Sequence, residues 1–148
     1  MPLAASYKLS LYDGAVLPVT LRNIVTILPA GGAGLTCAER LVNATLSIDA
    51  LSKAIATDTL RTSCDDGRPD ATRTLSRVGT ASTVGDTTRF DYLANGTSAS
   101  SRSFARRSGA GLLIFRTETD QRLITSPGSP PATTVEYDFT PRLYVPNP

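Results

Sequence analysis

Apolar and polar side chains alternate residue by residue along several stretches of this chain. The alternation is clearest over Val42–Ile48 and over Val135–Val145. Because successive side chains of a β-strand point to opposite faces of a sheet, this pattern predicts strands that bury one face. Further strands are predicted at Tyr7–Leu11, Leu17–Leu28, Arg73–Val78, Thr87–Leu93 and Leu112–Phe115. The sequence therefore predicts a mainly β chain, an antiparallel β-sandwich or barrel of roughly seven or eight strands.

The final stretch has the most regular pattern of all. Its odd-numbered positions are apolar apart from Pro141, so we expect the odd-numbered face to be buried. Pro141 has no backbone N–H to donate and indicates an edge or a bulge at that point. The side chains expected in the core are Val135, Tyr137, Phe139, Leu143 and Val145.

One short flanking helix is predicted beside the strands. Ser98 is a candidate N-cap, Arg106 and Arg107 would lie in the last turn, and Gly109 would end the helix. Loops are predicted from their glycine, proline and aspartate content at Pro29–Gly34, Cys64–Asp70 and Ser126–Pro131.

The composition limits the chemistry that this chain can perform. Its 148 residues suffice for one domain, which we place at residues 1–148. They include no histidine, no tryptophan and only two cysteines, which excludes His-dependent catalytic triads and the usual zinc sites. We therefore expect a structural or binding protein and not an enzyme, with no catalytic residue, no metal and no cofactor.

The charge and hydropathy point to no particular partner. The formal net charge of +2 is too small to indicate a nucleic-acid or membrane partner by electrostatics alone. No apolar run approaches the roughly 20 residues of a membrane helix, and the N-terminus lacks the pattern of a secretory signal. The sequence thus predicts no membrane insertion.

Three small groups of residues could carry chemistry, and each has a plainer interpretation. Asp65, Asp66 and Asp70 lack the spacing and the distal glutamate of a calcium loop, which favours an acidic surface turn. Cys37 and Cys64 could pair if their strands were adjacent, but with no export signal we favour two reduced, half-buried thiols.

The third group is basic. Arg102, Arg106 and Arg107 would lie on consecutive turns of the predicted helix. Such a group could contact phosphates. A solvated helix face, or ion pairs with an acidic neighbouring subunit, is the favoured interpretation.

Four segments, in this order, resemble the major tail tube proteins of long-tailed, siphovirus-like phages of actinobacteria. They are Leu35–Ala38 with its Thr-Cys pair, Ile55–Gly67 ending in Cys-Asp-Asp-Gly, Phe104–Gly109 with its Arg-Arg-Ser-Gly, and the closing Tyr137–Pro146. Together they cover about a third of the chain, and the chain is shorter than such proteins, chiefly between Gly67 and Arg106.

The resemblance implies a structural virion protein of the phage tail. Its fold would be a β-sandwich or β-barrel with a flanking helix. Six copies would close a ring, and stacked rings would form a conduit for DNA ejection, with the tape-measure protein and passing DNA in the lumen. Tail terminator or tail tip proteins would be further partners, and assembly would take place in the host cytoplasm. The alternatives are a head–tail joining or capsid protein, or a stand-alone β-sandwich binding module.

The segment Asp49–Asp70 is expected to contribute to contacts between copies. It is rich in threonine and aspartate and has no strong core face, so we expect it to be poorly ordered by itself. At its start, Asp49 could cap one helical turn over Leu51–Ala56.

Overall fold

The protein is all-β in the computed structural model, which describes residues 5–26, 34–95, 99–123, 128 and 132–147. The mainly β prediction is confirmed, and the described residues contain no helix. None of them could therefore cross a membrane as a helix. The strands are β1 (Ala5–Tyr12), β2 (Ala15–Val16), β3 (Val19–Thr26), β4 (Leu35–Ile48), β5 (Lys53–Cys64), β6 (Ala71–Val84), β7 (Thr87–Tyr92), β8 (Ser101–Ser108), β9 (Gly111–Leu123), β10 (Ala132–Asp138) and β11 (Arg142–Pro146).

Eight of these strands close into an antiparallel barrel in the order β1-β11-β9-β8-β7-β6-β5-β4. Closure depends on β1, which pairs with β11 on one side and with β4 on the other. On the β4 side, Ala5 lies opposite Ile48 and Lys8 opposite Thr45. The first and last strands of the chain are thus neighbours, and each completes the hydrogen bonding of the other.

Besides the two-residue β2, which pairs with the end of β1, two longer strands extend the sheet beyond the barrel, because their partners are longer than the barrel needs. The second half of β4 pairs with β1, and its first half is free to pair with β3, where Thr26 lies opposite Leu35. In the same way β9 gives its first residues to β11 and the rest to β10. Among the described residues, the sheet consequently has two long open edges, one at β3 and one at β10, besides the two-residue β2.

The hydrophobic core fills the barrel. A bulge between Leu41 and Asn43 changes the inward-facing positions of β4 from odd to even, so that Leu41 and Ala44 are both fully buried. Phe90 and Tyr92 stack with their ring centroids 6.2 Å apart, as expected for two residues on one side of a strand. The buried apolar side chains are Tyr7, Leu9, Leu41, Ala44, Leu46, Ile48, Ala54, Leu60, Phe90, Tyr92, Ala105, Leu112, Ile114 and Tyr144.

The predicted flanking helix is wrong, because its residues form strand β8. The inward-facing side chains of β8 are small, namely Ser101, Ser103 and Ala105, all buried. The larger Arg102 and Phe104 lie on the opposite face. A strand with small residues inside and large ones outside lacks the usual hydrophobic alternation, which explains why the sequence pattern did not predict a strand here.

The prediction for Asp49–Asp70 is also wrong in its structural part. The Asp49 carboxylate accepts hydrogen bonds from the backbone N–H groups of Leu51 and Lys53, both at 2.9 Å, and forms a tight turn. The helical turn over 51–56 is absent, since β5 begins at Lys53 and lies between β4 and β6. Backbone pairing on both sides orders this segment despite its polar composition.

The two cysteines form a disulfide, which corrects the expectation of reduced thiols. Cys37 of β4 lies directly opposite Cys64 of β5, with Cα atoms 4.0 Å apart. The sequence could not reveal this pairing, because it depends on the register of two strands and on the bulge that sets it. The disulfide links the ends of β4 and β5 that lie beyond the barrel.

The burial predicted for Val135–Val145 is wrong as well. The segment is split into β10 and β11, and the turn before β11 is fixed by the Asp13 N–H, which donates to the Pro141 carbonyl. Tyr137 and Phe139 are 56% and 67% exposed, whereas the even-numbered Tyr144 is buried. The odd face of β10 therefore lies on the surface.

Some predictions fall partly or wholly outside the described residues. They are the cap at Ser98, the end of the Leu17–Leu28 strand and the loops at Pro29–Gly34 and Ser126–Pro131. The loop that begins at Cys64 is confirmed, since 65–70 connect β5 and β6 without regular structure. Strand β3 begins directly after Pro18 and lies at an edge of the sheet, which suits a residue that has no backbone N–H to donate to a neighbouring strand.

Replacing a core aromatic residue should destabilise the fold, whereas replacing a surface aromatic residue should leave its stability almost unchanged. We expect Phe90→Ala to lower the free energy of unfolding by about 3–5 kcal/mol, because it leaves a cavity at the centre of the barrel. Phe139→Ala should change it by less than about 0.5 kcal/mol, because that ring is solvent-exposed. Urea unfolding of the monomer measures both values. A large loss for Phe139→Ala would show that its ring is buried.

Removing the disulfide should loosen the sheet beyond the barrel. The bond closes a loop with a sequence separation of 27 residues. For a loop of this size we expect the double variant Cys37→Ala, Cys64→Ala to lose about 2–4 kcal/mol of stability. The measurement is urea unfolding of the variant beside oxidised and reduced wild type. Equal unfolding midpoints for oxidised and reduced protein would contradict the expectation.

Candidate functional site

The edge formed by β3 is open and partly apolar. Residues 21–25 are all exposed, among them Leu21, Ile24 and Val25, of which Val25 is 64% exposed. β4 occupies one side of β3, and no described strand occupies the other. An edge of this kind presents unpaired backbone groups that another strand can add to.

The edge formed by β10 has the same character and adds aromatic rings. Residues 134–139 are exposed, and the rings of Tyr137 and Phe139 stack with centroids 6.3 Å apart. Val135 adds a third apolar side chain on the same face. Large apolar side chains exposed along a free strand are typical of a surface that another protein covers.

A charged ladder crosses the sheet behind the β3 edge. Glu39 of β4 is almost completely buried and receives hydrogen bonds from Arg22 of β3 at 3.1 Å and from Arg73 of β6 at 2.9 Å. Burial raises the pKa of the Glu39 carboxyl, but Arg73 and then Arg22 outweigh burial and hold the pKa below its ordinary value of 4.5. Two arginines share one carboxylate, so the ladder carries one uncompensated positive charge.

A second ion-pair cluster lies on the outer face of β8 and β9. Arg102 contacts Glu118 at 3.1 Å and Asp120 at 3.0 Å, and Ser100 donates to Asp120 at 2.6 Å. The hydrogen bonds from Arg102 and then Ser100 lower the pKa of Asp120 to about 2. These partners belong to the same chain. Arg102 thus forms ion pairs, but it lies on a strand and not on a helix, and its partners belong to its own subunit and not to a neighbouring one.

The other two arginines of the predicted basic group are placed differently. The Arg106 guanidinium lies 4.5 Å from the centre of the Phe115 ring, a cation–π contact. Arg107 is exposed near the turn that joins β8 to β9. The three arginines therefore do not converge on one site.

A charged cleft of about 340 Å³ opens at one mouth of the barrel. Arg142 and Asp58 form an ion pair at 3.1 Å on its wall. Burial disfavours the charged form of the Arg142 guanidinium, but the nearby Asp58 carboxylate outweighs burial and raises the pKa of Arg142 above its ordinary value. For the phenols of Tyr92 and Tyr144, burial itself raises the pKa. Arg77 also lines the cleft and donates to the Ser101 hydroxyl at 3.1 Å.

The β10 edge forms the acidic rim of this cleft. Glu136 accepts a hydrogen bond from the Gln121 amide, and Asp138 accepts one from the Thr140 N–H at 2.9 Å. Both carboxylates line the cleft. Arginine, carboxylate and phenol groups of this kind can orient a polar group. The described residues contain no cluster of three or more side chains that could hold a metal ion.

The comparisons with known proteins add no identity. No family model matches the chain, and no curated protein or solved structure was found to resemble it significantly.

The sequence analysis predicted no site residues, and both the edges and the cleft were missed. A signal was present for the β3 edge, since Pro18 precedes this strand and, with no backbone N–H to donate, favours a strand start or an edge. For the cleft there was none, because Asp58 and Arg142 are 84 residues apart in the chain. Only barrel closure brings them together.

The ion pairs of Asp120 and Glu39 should make the fold sensitive to acid. The folded-state pKa of Asp120, about 2, lies below the ordinary 3.8, so its stabilisation is complete above about pH 4 and is lost as the pH falls toward 2. We expect the urea midpoint to fall over this range, and to fall less steeply in Asp120→Asn. Asp86→Asn removes one turn carboxylate as a control. Parallel curves for Asp120→Asn and wild type would contradict the assignment.

Proposed function

We propose that this chain is a self-assembling structural subunit of a phage tail tube. The observation that carries the proposal is the pair of open strand edges, β3 and β10, with exposed apolar side chains on an otherwise closed barrel. The resemblance of four segments to tail tube proteins indicates which assembly these edges would form.

Natural sheets usually protect free edges with charged side chains, lysine above all, or with proline, bulges or very short strands. Here β3 has eight residues and β10 has seven. β3 has a bulge near Leu21, yet it leaves Ile24 and Val25 exposed beyond it. β10 contains neither lysine nor proline, and its two charged side chains, Glu136 and Asp138, leave Val135 and Tyr137 exposed on the other face. Edges this long are costly for a protein that stays alone, and they favour a role in which other copies cover them.

A subunit with two separate edges can join a neighbour on each side. When the contact surfaces on the two sides differ, successive copies form a closed ring or an open filament. A ring fits the resemblance to tail tube proteins, for which six copies per ring and stacked rings are expected. The lumen would pass DNA and hold the tape-measure protein, and tail terminator or tip proteins would cap the stack.

The charged cleft supports a second candidate, the stand-alone binding module. Mouths of small barrels commonly hold ligands, and a cleft of about 340 Å³ would admit a small polar molecule. The sequence also left a head–tail joining or capsid protein open. These candidates differ from the tail tube in the assembly that they form.

The oligomeric state of the purified chain tests the proposal. We expect rings, stacking into hollow tubes as concentration rises, in negative-stain images and in light scattering behind size-exclusion chromatography. Spherical shells would favour a capsid protein, and single rings that never stack would favour a joining protein. A monomer of 15.6 kDa at every concentration would contradict the proposal and favour the binding module.

A further inference from the structure

The two open edges carry opposite charge. At β3, Arg22 and Arg73 share the single carboxylate of Glu39, which leaves one positive charge beside the edge. At β10, the hydrogen-bond donors to Glu136 and Asp138 among the described residues are the uncharged Gln121 amide and the Thr140 backbone N–H. No described cationic side chain pairs with either of these two carboxylates.

These charges decide which edges can meet. Two β3 edges would bring the Arg22 side chains of two copies together, and two β10 edges would bring four carboxylates together. Like charges facing each other across a strand pair are destabilising, and opposite charges stabilise it. Charge therefore disfavours a two-fold symmetric contact and favours a contact between unlike edges.

The faces of the two strands also match. Arg22 shares the core-side face of the sheet with Glu39, and Glu136 and Asp138 point to the cleft. On the opposite faces lie Val25, opposite Thr36, and Tyr137, opposite Glu118. If the core-side faces are continuous across the junction, the charged groups share one face and the apolar groups share the other.

We infer that strand β10 of one copy adds to strand β3 of the next copy, so that the assembly is directional, head to tail. This inference rests on the proposed function and names the surfaces that would join its subunits. Arg22 of one copy meets Glu136 and Asp138 of its neighbour, while Val25 packs against Val135 and Tyr137.

Two variants, each with one edge blocked, test the inference. Val25→Glu places a charge on β3 where the apolar Val135 and Tyr137 of the neighbour would pack, and Glu136→Lys reverses a charge on the other face of β10. Both side chains are exposed, so circular dichroism and thermal melting should match wild type. We expect each variant alone to need a protein concentration raised by about tenfold or more before it associates.

The mixture of the two variants is the decisive sample. The Val25→Glu variant keeps an intact β10, and the Glu136→Lys variant keeps an intact β3. The β10 of the first can therefore still pair with the β3 of the second. An equimolar mixture should form heterodimers that do not grow into rings. Asp86→Lys, which changes the net charge by the same amount as Glu136→Lys but lies in the turn between β6 and β7, should assemble like wild type.

Three results would overturn the inference. If either variant forms dimers alone, like edges are pairing. If both variants form rings like those of wild type, the subunits join through another surface, and the tail tube proposal survives without this pairing. If wild type remains a monomer, the inference and the proposed function both fail.

Discussion

The pairing of β1 with β4 is the contact on which this structure depends. β1 receives β11 on one side and β4 on the other, so the first strand of the chain closes a sheet that would otherwise have two more free edges. Closure encloses Tyr7 and Leu9 together with core residues from the other barrel strands. The Asn147 N–H donates to the Ser6 carbonyl at 2.8 Å and continues the pairing of the two chain ends.

Barrel closure also creates the two strand edges on which the proposed function rests. Because β1 and β11 are shorter than β4 and β9, the longer strands extend past the barrel, where they pair with β3 and β10. The same closure brings Asp58 against Arg142 at the barrel mouth. A rigid barrel with projecting strands suits a subunit whose contacts must be reproduced identically in every copy, since the projecting strands are held by backbone pairing.

The errors of the sequence analysis share one cause. Burial in a closed barrel depends on where each strand lies around the circumference, as well as on its own polarity. Ser101 and Ser103 are buried because they point into the barrel, where Ser103 lies opposite Phe90, while Phe139 is exposed because it follows β10, which lies outside the barrel. A pattern of apolar residues cannot distinguish a strand that packs on its own core from one whose apolar face awaits a partner.

By itself the sequence determined that the chain is β-rich, where several strands run, and which turns end them. Tyr7 and Leu9, the alternation of Val42–Ile48 and the shared face of Phe90 and Tyr92 were all predictable, because strand periodicity is a local property. Only the tertiary structure decided the closure of the barrel, the Cys37–Cys64 disulfide and the open edges. These features depend on pairing between distant segments, and a shift in register of a single residue would exchange the buried and exposed faces.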